Sequence, residues 1–417
     1  MALSTPPAPA PTDAPHGAGA PTATRLVSVD ALRGFDMLWI LGGDELVQAI
    51  HALCGDPVTG CLAHQFDHCD WAGFHIEDLI FPLFVFIAGV SLVFSLSKTI
   101  ARDGRSVAIR RIIRRGLLLV AFGIVYYGGI SHGWDDVRLL GVLQRIGLAY
   151  LFAGLLFCVL STRGLVIACL TVLLGYWGLM AWVPIRDIRL DATTFQQLGE
   201  QTGIHDPQVL FARTTARVSG HFEPGYNLAN HLDFQYLPGR KWDRYYDPEG
   251  LLSTLPAIAT CLLGVFAGLL LQNRTIGDRT RLALLIGGGL GLLIIGELWG
   301  LEFPVVKKLW TSSFVLVAGG WSLLLLAAFH WSIDLKGWRS WTIPFVWIGM
   351  NAIVVYMGEN LVHLRGIADR LVGGPLRAIL DAHVAQGLGN VVSISATIGL
   401  ILLCAWFLHR KQIFMRL

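Results

Sequence analysis

The chain has 417 residues, 54% of them hydrophobic and only 15% charged, with a mean hydropathy of +0.58 and a formal net charge of +3. Soluble domains carry about 25% charged residues, so this composition excludes an ordinary soluble domain and indicates a polytopic membrane protein. The small net charge excludes nucleic acid held by bulk attraction. Seven cysteines in so long a chain exclude a disulfide scaffold.

Residues 1–24 are Ala, Pro, Thr and Gly with almost no charge. Such a segment cannot bury a core and is expected to be a disordered cytosolic tail. It has no basic region followed by an apolar run, so it does not read as a signal peptide, and the first hydrophobic segment is expected to act as an uncleaved anchor. Residues 25–417 read as one transmembrane domain.

Ten apolar stretches are long enough, or nearly so, to cross about 30 Å of hydrocarbon as helices. They run near Ser28–Ile50, Ile76–Ser97, Gly116–Gly133, Leu139–Ser161, Leu165–Pro184, Leu251–Leu271, Leu282–Leu301, Leu309–Phe329, Ile343–Val362 and Val391–Leu408. An eleventh, partial helix near Leu371–Ala385 contains Arg377 and Asp381 and is expected to be re-entrant or interfacial. The fold class is therefore all-α, a bundle of ten or eleven transmembrane helices. No strand-rich block, P-loop, dinucleotide fingerprint or internal repeat is visible.

Short loops set the orientation. Lys98–Arg115 is densely basic, and Arg163, Arg274, Arg279, Arg281, Lys336, Arg339 and Arg410 recur in loops on the same side. The loop from His51 to Phe74 has no Lys or Arg. The positive-inside rule places both termini in the cytosol and the His51–Phe74 loop on the far side, the periplasm of a bacterial inner membrane. The longest non-apolar segment, Ile185–Gly250, lies on that far side. Its aromatic rings stand beside carboxylates, as in HFEPGYNLANHLDF and LPGRKWDRYYDPEG. That mixture suits either sugar recognition or a cap packed on the helix ends.

One stretch organises the chain: HCDWAGFHIEDLIFPLFVFIAGVSLVF, His68–Phe94. A titratable cluster placed where a chain enters lipid is costly and marks a functional site. In the preceding loop Cys54, Cys61, His64, His68 and Cys69 leave three readings open: a Cys54–Cys61 disulfide, free thiols, or a metal site.

The motifs SVDALRGFDML at Ser28, HCDWAGFHIEDLIFPLFVFIAGVSL at His68, LLGVLQRIGLAY at Leu139, YDPEGLLSTLPAIATCLLGVFAG at Tyr246, KKLWTSSFVL at Lys307 and GMNAIVVYMGE at Gly349 carry a resemblance. Together and in this order, they resemble the transmembrane acyltransferases typified by lysosomal heparan-α-glucosaminide N-acetyltransferase and its bacterial relatives. The resemblance implies that an acetyl group from cytosolic acetyl-CoA ends on an amino sugar across the membrane. It implies that the essential histidine is His68, and that the polar residue at the far end of the first helix, Asn in the lysosomal enzyme, falls at Asp44.

Acetyl transfer to an amine needs a base and donors for the tetrahedral oxyanion. His68 is suited to act as base or to carry the acetyl group. Asp44 is expected either to hold the imidazole tautomer or to serve as a cap or solvated carboxylate. Trp71 is read as a pocket wall or an interfacial tryptophan. Asp78 is read as a first-turn carboxylate or a pocket residue, and Glu249 as an acceptor contact or a helix cap. Asn351 and Glu359, eight residues apart in one apolar helix, are expected to share a face turned into the bundle. Arg33, Arg145 and, from the basic run, Arg114 are the candidate coenzyme A contacts. No metal is expected. The expected partners are an amino-sugar or oligosaccharide acceptor and membrane lipid, with homodimerisation left open. The rival readings are O-acetylation of a polysaccharide hydroxyl and sugar transport.

Overall fold

The computed structural model describes residues 26–131 and 133–414; the tail read from residues 1–24 lies outside the described residues. The chain enters on α1 (Val27–Leu38), passes through a π turn (Trp39–Gly43) and continues as α2 (Asp44–Cys54) and the short α3 (Pro57–Gln65). A long loop then leads to α4 (Ile76–Asp103), which turns at Gly104 into α5 (Arg105–Tyr126), followed by α6 (Val142–Val159) and α7 (Thr162–Trp182). After an inserted segment come α11 (Thr254–Gln272), α12 (Asp278–Gly300) and α13 (Ser312–Phe329). The inserted segment holds α8 (Ala192–Thr202), α9 (Pro207–Arg213) and α10 (Leu228–Tyr236), with a two-stranded pairing of β1 (Ile185–Arg186) and β2 (Arg217–Val218). The chain ends with α14 (Ile343–Met350), α15 (Ala352–Val362), α16 (Leu364–Val372), α17 (Pro375–His383) and α18 (Leu388–Arg410).

Apolar side chains all round a helix leave two options, core or lipid, and the helices divide accordingly. Of the most apolar window, 78% is buried in both α4 and α11, against 28% in α7 and α18 and 17% in α12. Helices α4 and α11 are thus the centre, and α7, α12 and α18 present their side chains to the hydrocarbon.

The central helices touch backbone to backbone. A Cβ built on Gly89 of α4 would stand 2.0 Å from the Cys261 carbonyl oxygen, and one on Gly264 of α11 would stand 1.9 Å from that of Phe86. A second glycine pair joins α1 to α14: a Cβ on Gly34 would lie 1.7 Å from the Phe345 oxygen, and one on Gly349 would lie 1.9 Å from that of Asp30. In a membrane, where helices gain nothing by leaving lipid for one another, such close approach supplies the packing energy.

The fold is the expected all-α polytopic bundle, and eight of the ten stretches read as crossings meet a test of length and apolarity, one of them as a bent pair. Seven described helices are long and apolar enough to cross, and α14 with α15 makes an eighth as a pair bent by 68°. The stretch read as Ser28–Ile50 is broken at the π turn, where Gly42 takes a φ of 110°. The stretch read as Gly116–Gly133 is the second half of α5, whose first half carries five arginines. The partial helix read at Leu371–Ala385 is instead the end of α16 and all of α17, separated at Gly373 and Gly374.

The Ile185–Gly250 segment folds over the His68 end of the bundle. It has its own apolar core of Ile188, Leu190, Phe195, Leu210, Phe211, Phe234 and Tyr245. A second cluster joins Ile185, Leu228 and Ala229 to Tyr176 and Met180 of α7 and to Phe303, Val306 and Leu309. The segment is thus fastened to the helices beneath it.

Gly264→Val places two methyl groups where the α4 backbone lies. It is expected to lower stability by at least about 1–3 kcal/mol, read as a drop in the thermal midpoint of the detergent-purified protein. An unchanged midpoint would contradict the backbone contact.

Candidate active site

The site is built around the start of α4. His75 occupies its N-cap, and its backbone N–H donates to Asp78 Oδ2 at 3.1 Å. The same oxygen accepts from the Cys69 N–H at 3.3 Å, which folds the preceding loop back on the helix end. The other oxygen, Oδ1, lies 3.2 Å from His68 Nδ1 and 3.3 Å from Lys307 Nζ. Lys307 Nζ is also 3.2 Å from His68 Nδ1 and donates to the Glu77 carbonyl at 3.4 Å. The Asp78 side chain is 1% exposed, the His68 ring 60%. A buried carboxylate therefore holds Nδ1 of an accessible imidazole, which leaves Nε2 for chemistry. Burial pushes the Lys307 ammonium below its ordinary range, against the opposing pull of Asp78 and Glu77.

His68 opens on a cavity of about 450 Å³ whose walls include Asp44, Trp71, Glu77, Asp78, Arg138, Arg145, Trp242, Glu249, Lys307 and Trp310. Arg138 is its main brace. It makes a two-pronged bond to Asp247 at 2.8 and 3.1 Å and a further one to Glu249 at 2.7 Å. Its guanidinium also lies over the rings of Tyr127 and Trp242, 4.3 and 4.9 Å from their centroids. These two carboxylates raise the Arg138 pKa still further above its ordinary value, so the charge is permanent. Trp71 Nε1 donates to the Phe222 carbonyl at 2.8 Å and ties the His68 loop to the cap. Deeper in, Arg145 is 1% exposed, donates to Ser253 Oγ and stacks 4.8 Å from the Trp310 ring centre.

A second cavity, of about 240 Å³, lies toward the arginine-rich end. Arg33, Arg111, Arg115, Ser91, Ser95, Tyr150 and Asn351 line it. Phe84, Ile146, Ala352 and Ile353 line both cavities. The two spaces are therefore back to back, with an apolar wall four residues wide between an imidazole and a cluster of guanidinium groups.

The sequence-read candidates fall unevenly on this frame. His68, Asp44, Trp71, Asp78, Glu249 and Arg145 all line the larger cavity. The carboxylate bonded to the imidazole is Asp78; among the described residues Asp44 has no bond to it. Asp78 is both the helix cap and the pocket residue, so the two readings of it were not alternatives. Arg33 and Asn351 line the smaller cavity. Arg114 is exposed and lines neither cavity. On α5, Arg111 and Arg115 stand four residues apart on the inward face, while Arg114 turns away from it. Glu359 also lines neither cavity. Asn351 is the N-cap of α15, the helix that carries Glu359.

Lys307, Arg138 and Glu77 were missed. Lys307 opens the motif KKLW, and nothing in the spacing brings it to a histidine more than two hundred residues earlier. Arg138 stands beside LLGVLQR, and its partners lie in DPEG; the shared signal was two motifs of opposite charge on one side of the membrane.

Cys54 and Cys61 are free and exposed, so the disulfide reading is not met. Cys69, His75 and Asp78 place three donor atoms within 4.8 Å of one another. However, His75 Nδ1 is 2.9 Å from the Asp67 carbonyl oxygen, and Lys307 already neutralises Asp78, which opposes a second cation there.

Arg138→Ala would strand Asp247 and Glu249 beside the cavity without a counter-ion. Breaking a buried pair in this way costs roughly 3–5 kcal/mol, so the thermal midpoint of the purified protein is expected to fall. An unchanged midpoint would show that the brace is not needed.

Residues 25–197 match the family model described as "Heparan-alpha-glucosaminide N-acetyltransferase, catalytic". The chain is 27% identical over 434 aligned residues to heparan-alpha-glucosaminide N-acetyltransferase of Mus musculus, covering 95% of this chain and 61% of that protein. It is 28% identical over 401 residues to the protein of that name from Homo sapiens, covering 84% of this chain and 56% of that one. The chain thus spans less than two thirds of the length of these relatives. The catalytic match takes in α1 through α7, including His68, Asp78 and Arg145, and the alignments run on through most of the remaining helices, so the chain is similar to the heparan-alpha-glucosaminide N-acetyltransferases over most of its own length.

Proposed function

We propose that this protein is a transmembrane N-acetyltransferase that moves the acetyl group of cytosolic acetyl-CoA to the amine of a periplasmic amino sugar, glucosamine or a terminal glucosaminide. One observation carries the reading: an imidazole backed by a buried carboxylate shares a thin apolar wall with an arginine-lined cavity at the opposite end. Anionic phosphates suit the guanidinium groups of Arg33, Arg111 and Arg115. A neutral acceptor ring suits the aromatic walls of the outer cavity. The relatives' names point to the same chemistry.

In this reading Asp78 holds the Nδ1–H tautomer of His68, and Nε2 takes up the proton that the acceptor ammonium must lose. The amine then forms its C–N bond at the thioester carbonyl while the C–S bond breaks, and the second N–H proton, which the nitrogen loses as it becomes an amide, passes to the leaving thiolate. If His68 carries the acetyl group instead, the C–S bond breaks against Nε2 first and the amine attacks the acyl-imidazole. Lys307, next to the ring, supplies positive charge for the oxyanion in either course. The basic end faces the cytosol and the His68 end faces the periplasm, as the distribution of Lys and Arg supports.

Purified protein incubated with acetyl-CoA and glucosamine is expected to yield N-acetylglucosamine, detected by mass. His68→Ala should reduce the rate by roughly 10²–10⁴-fold, the usual worth of a positioned acid–base group. Asp78→Asn, which keeps the shape but not the charge, should fall in the same direction. Equal, non-zero rates in wild type and His68→Ala would remove the imidazole from the mechanism. Product acetylated on oxygen alone would overturn the choice of acceptor.

A further inference from the structure

Asn351 presents an anomaly that the proposed chemistry does not use. It is 3% exposed, yet neither its amide nitrogen nor its amide oxygen has a hydrogen-bond partner among the described residues. A buried amide left without partners costs about 1–3 kcal/mol for each orphaned group, and native proteins rarely tolerate this. The residue sits at the 68° break between α14 and α15, with φ −128° and ψ 28°. It lines the arginine-rich cavity, and the next two residues, Ala352 and Ile353, are half of the wall shared with the His68 cavity. The break is anchored from behind, because Gly349 packs directly on the α1 backbone at Asp30. Asn351 therefore lines the same cavity as Arg111 and Arg115, next in sequence to the residues that separate that cavity from the imidazole.

A group that satisfies both ends of a carboxamide must offer a donor and an acceptor within its reach. Phosphate oxygens and a thioester carbonyl only accept. In a trans secondary amide N–H and C=O point opposite ways, so two successive amides are needed to supply one of each. Resting on the acetyl-CoA reading above, we propose that Asn351 binds the paired amides of the pantetheine arm of coenzyme A, and so sets how far the thioester reaches through the wall. The arm carries two secondary amides between its phosphates and its sulfur, which suits a carboxamide in the arginine-lined cavity beside the wall it shares with the His68 cavity. This assigns Asn351 to the donor substrate rather than to the acceptor.

The test is direct binding of CoA, and separately of its headgroup fragment 3′,5′-ADP, to wild type and Asn351→Ala in detergent. CoA affinity is expected to fall about tenfold, the worth of a paired amide contact, while 3′,5′-ADP affinity is unchanged. In turnover, KM for acetyl-CoA should rise by the same factor and KM for glucosamine should not move. The thermal midpoint of the ligand-free variant should be no lower than that of wild type, since the amide makes no bond within the protein. Equal losses for CoA and 3′,5′-ADP, or an unchanged CoA affinity, would overturn the assignment. A tenfold loss of CoA affinity in a protein that acetylates no amine would instead leave Asn351 standing and overturn the acetyltransferase reading.

Discussion

The Asp78 carboxylate is the constraint from which the site follows. One oxygen closes the first turn of α4 by accepting from His75 and Cys69, and the other meets His68 and Lys307. Capping a helix and orienting an imidazole are usually separate tasks. Here one buried group performs both, so the His68 ring is indexed directly to one of the two most buried helices of the bundle. Any tilt of α4 would carry the imidazole with it.

That indexing is useful only if α4 stands still, and the glycine contacts with α11 hold it. Backbone-to-backbone packing leaves no side chain that can repack around a shift. The pairing of α1 with α14 does the same for the opposite wall. It also fixes where the second helix pair breaks, which puts Asn351 beside the shared wall. Two rigid pairs thus frame both cavities, and the surrounding helices α7, α12 and α18 serve mainly as the boundary with lipid.

Charge is distributed by the same logic. In the outer cavity most charged groups have a neighbour of opposite sign: Asp78 has Lys307, Glu249 and Asp247 share Arg138, and Lys308 has Asp243. The inner cavity is rich in guanidinium groups instead, with Arg33 held by Asp30, Gly349 and Ser91 and Arg111 by Thr99. An aromatic chamber of mixed charge and an arginine-rich one, joined through four apolar side chains, are suited to two substrates of different charge.

Much of this was legible in the residues themselves. Apolar runs determined an all-α membrane protein, because the bilayer imposes length rules that are local in sequence. The His68–Phe94 stretch likewise pointed to the residues that line the larger cavity, since a titratable cluster at the edge of a hydrophobic helix is costly wherever the chain goes. The basic run misled at Arg114, which the rotation of α5 turned outward, and Glu359 lines neither cavity. Lys307 and Arg138 reached the site only through tertiary structure, as did the choice of Asp78 over Asp44 as the partner of the ring. The contacts of Lys307 and Arg138 join segments distant in sequence and are set by the packing of whole helices, which no local pattern encodes; the Asp78–His68 bond is local, but the fold of the loop before α4 decides it.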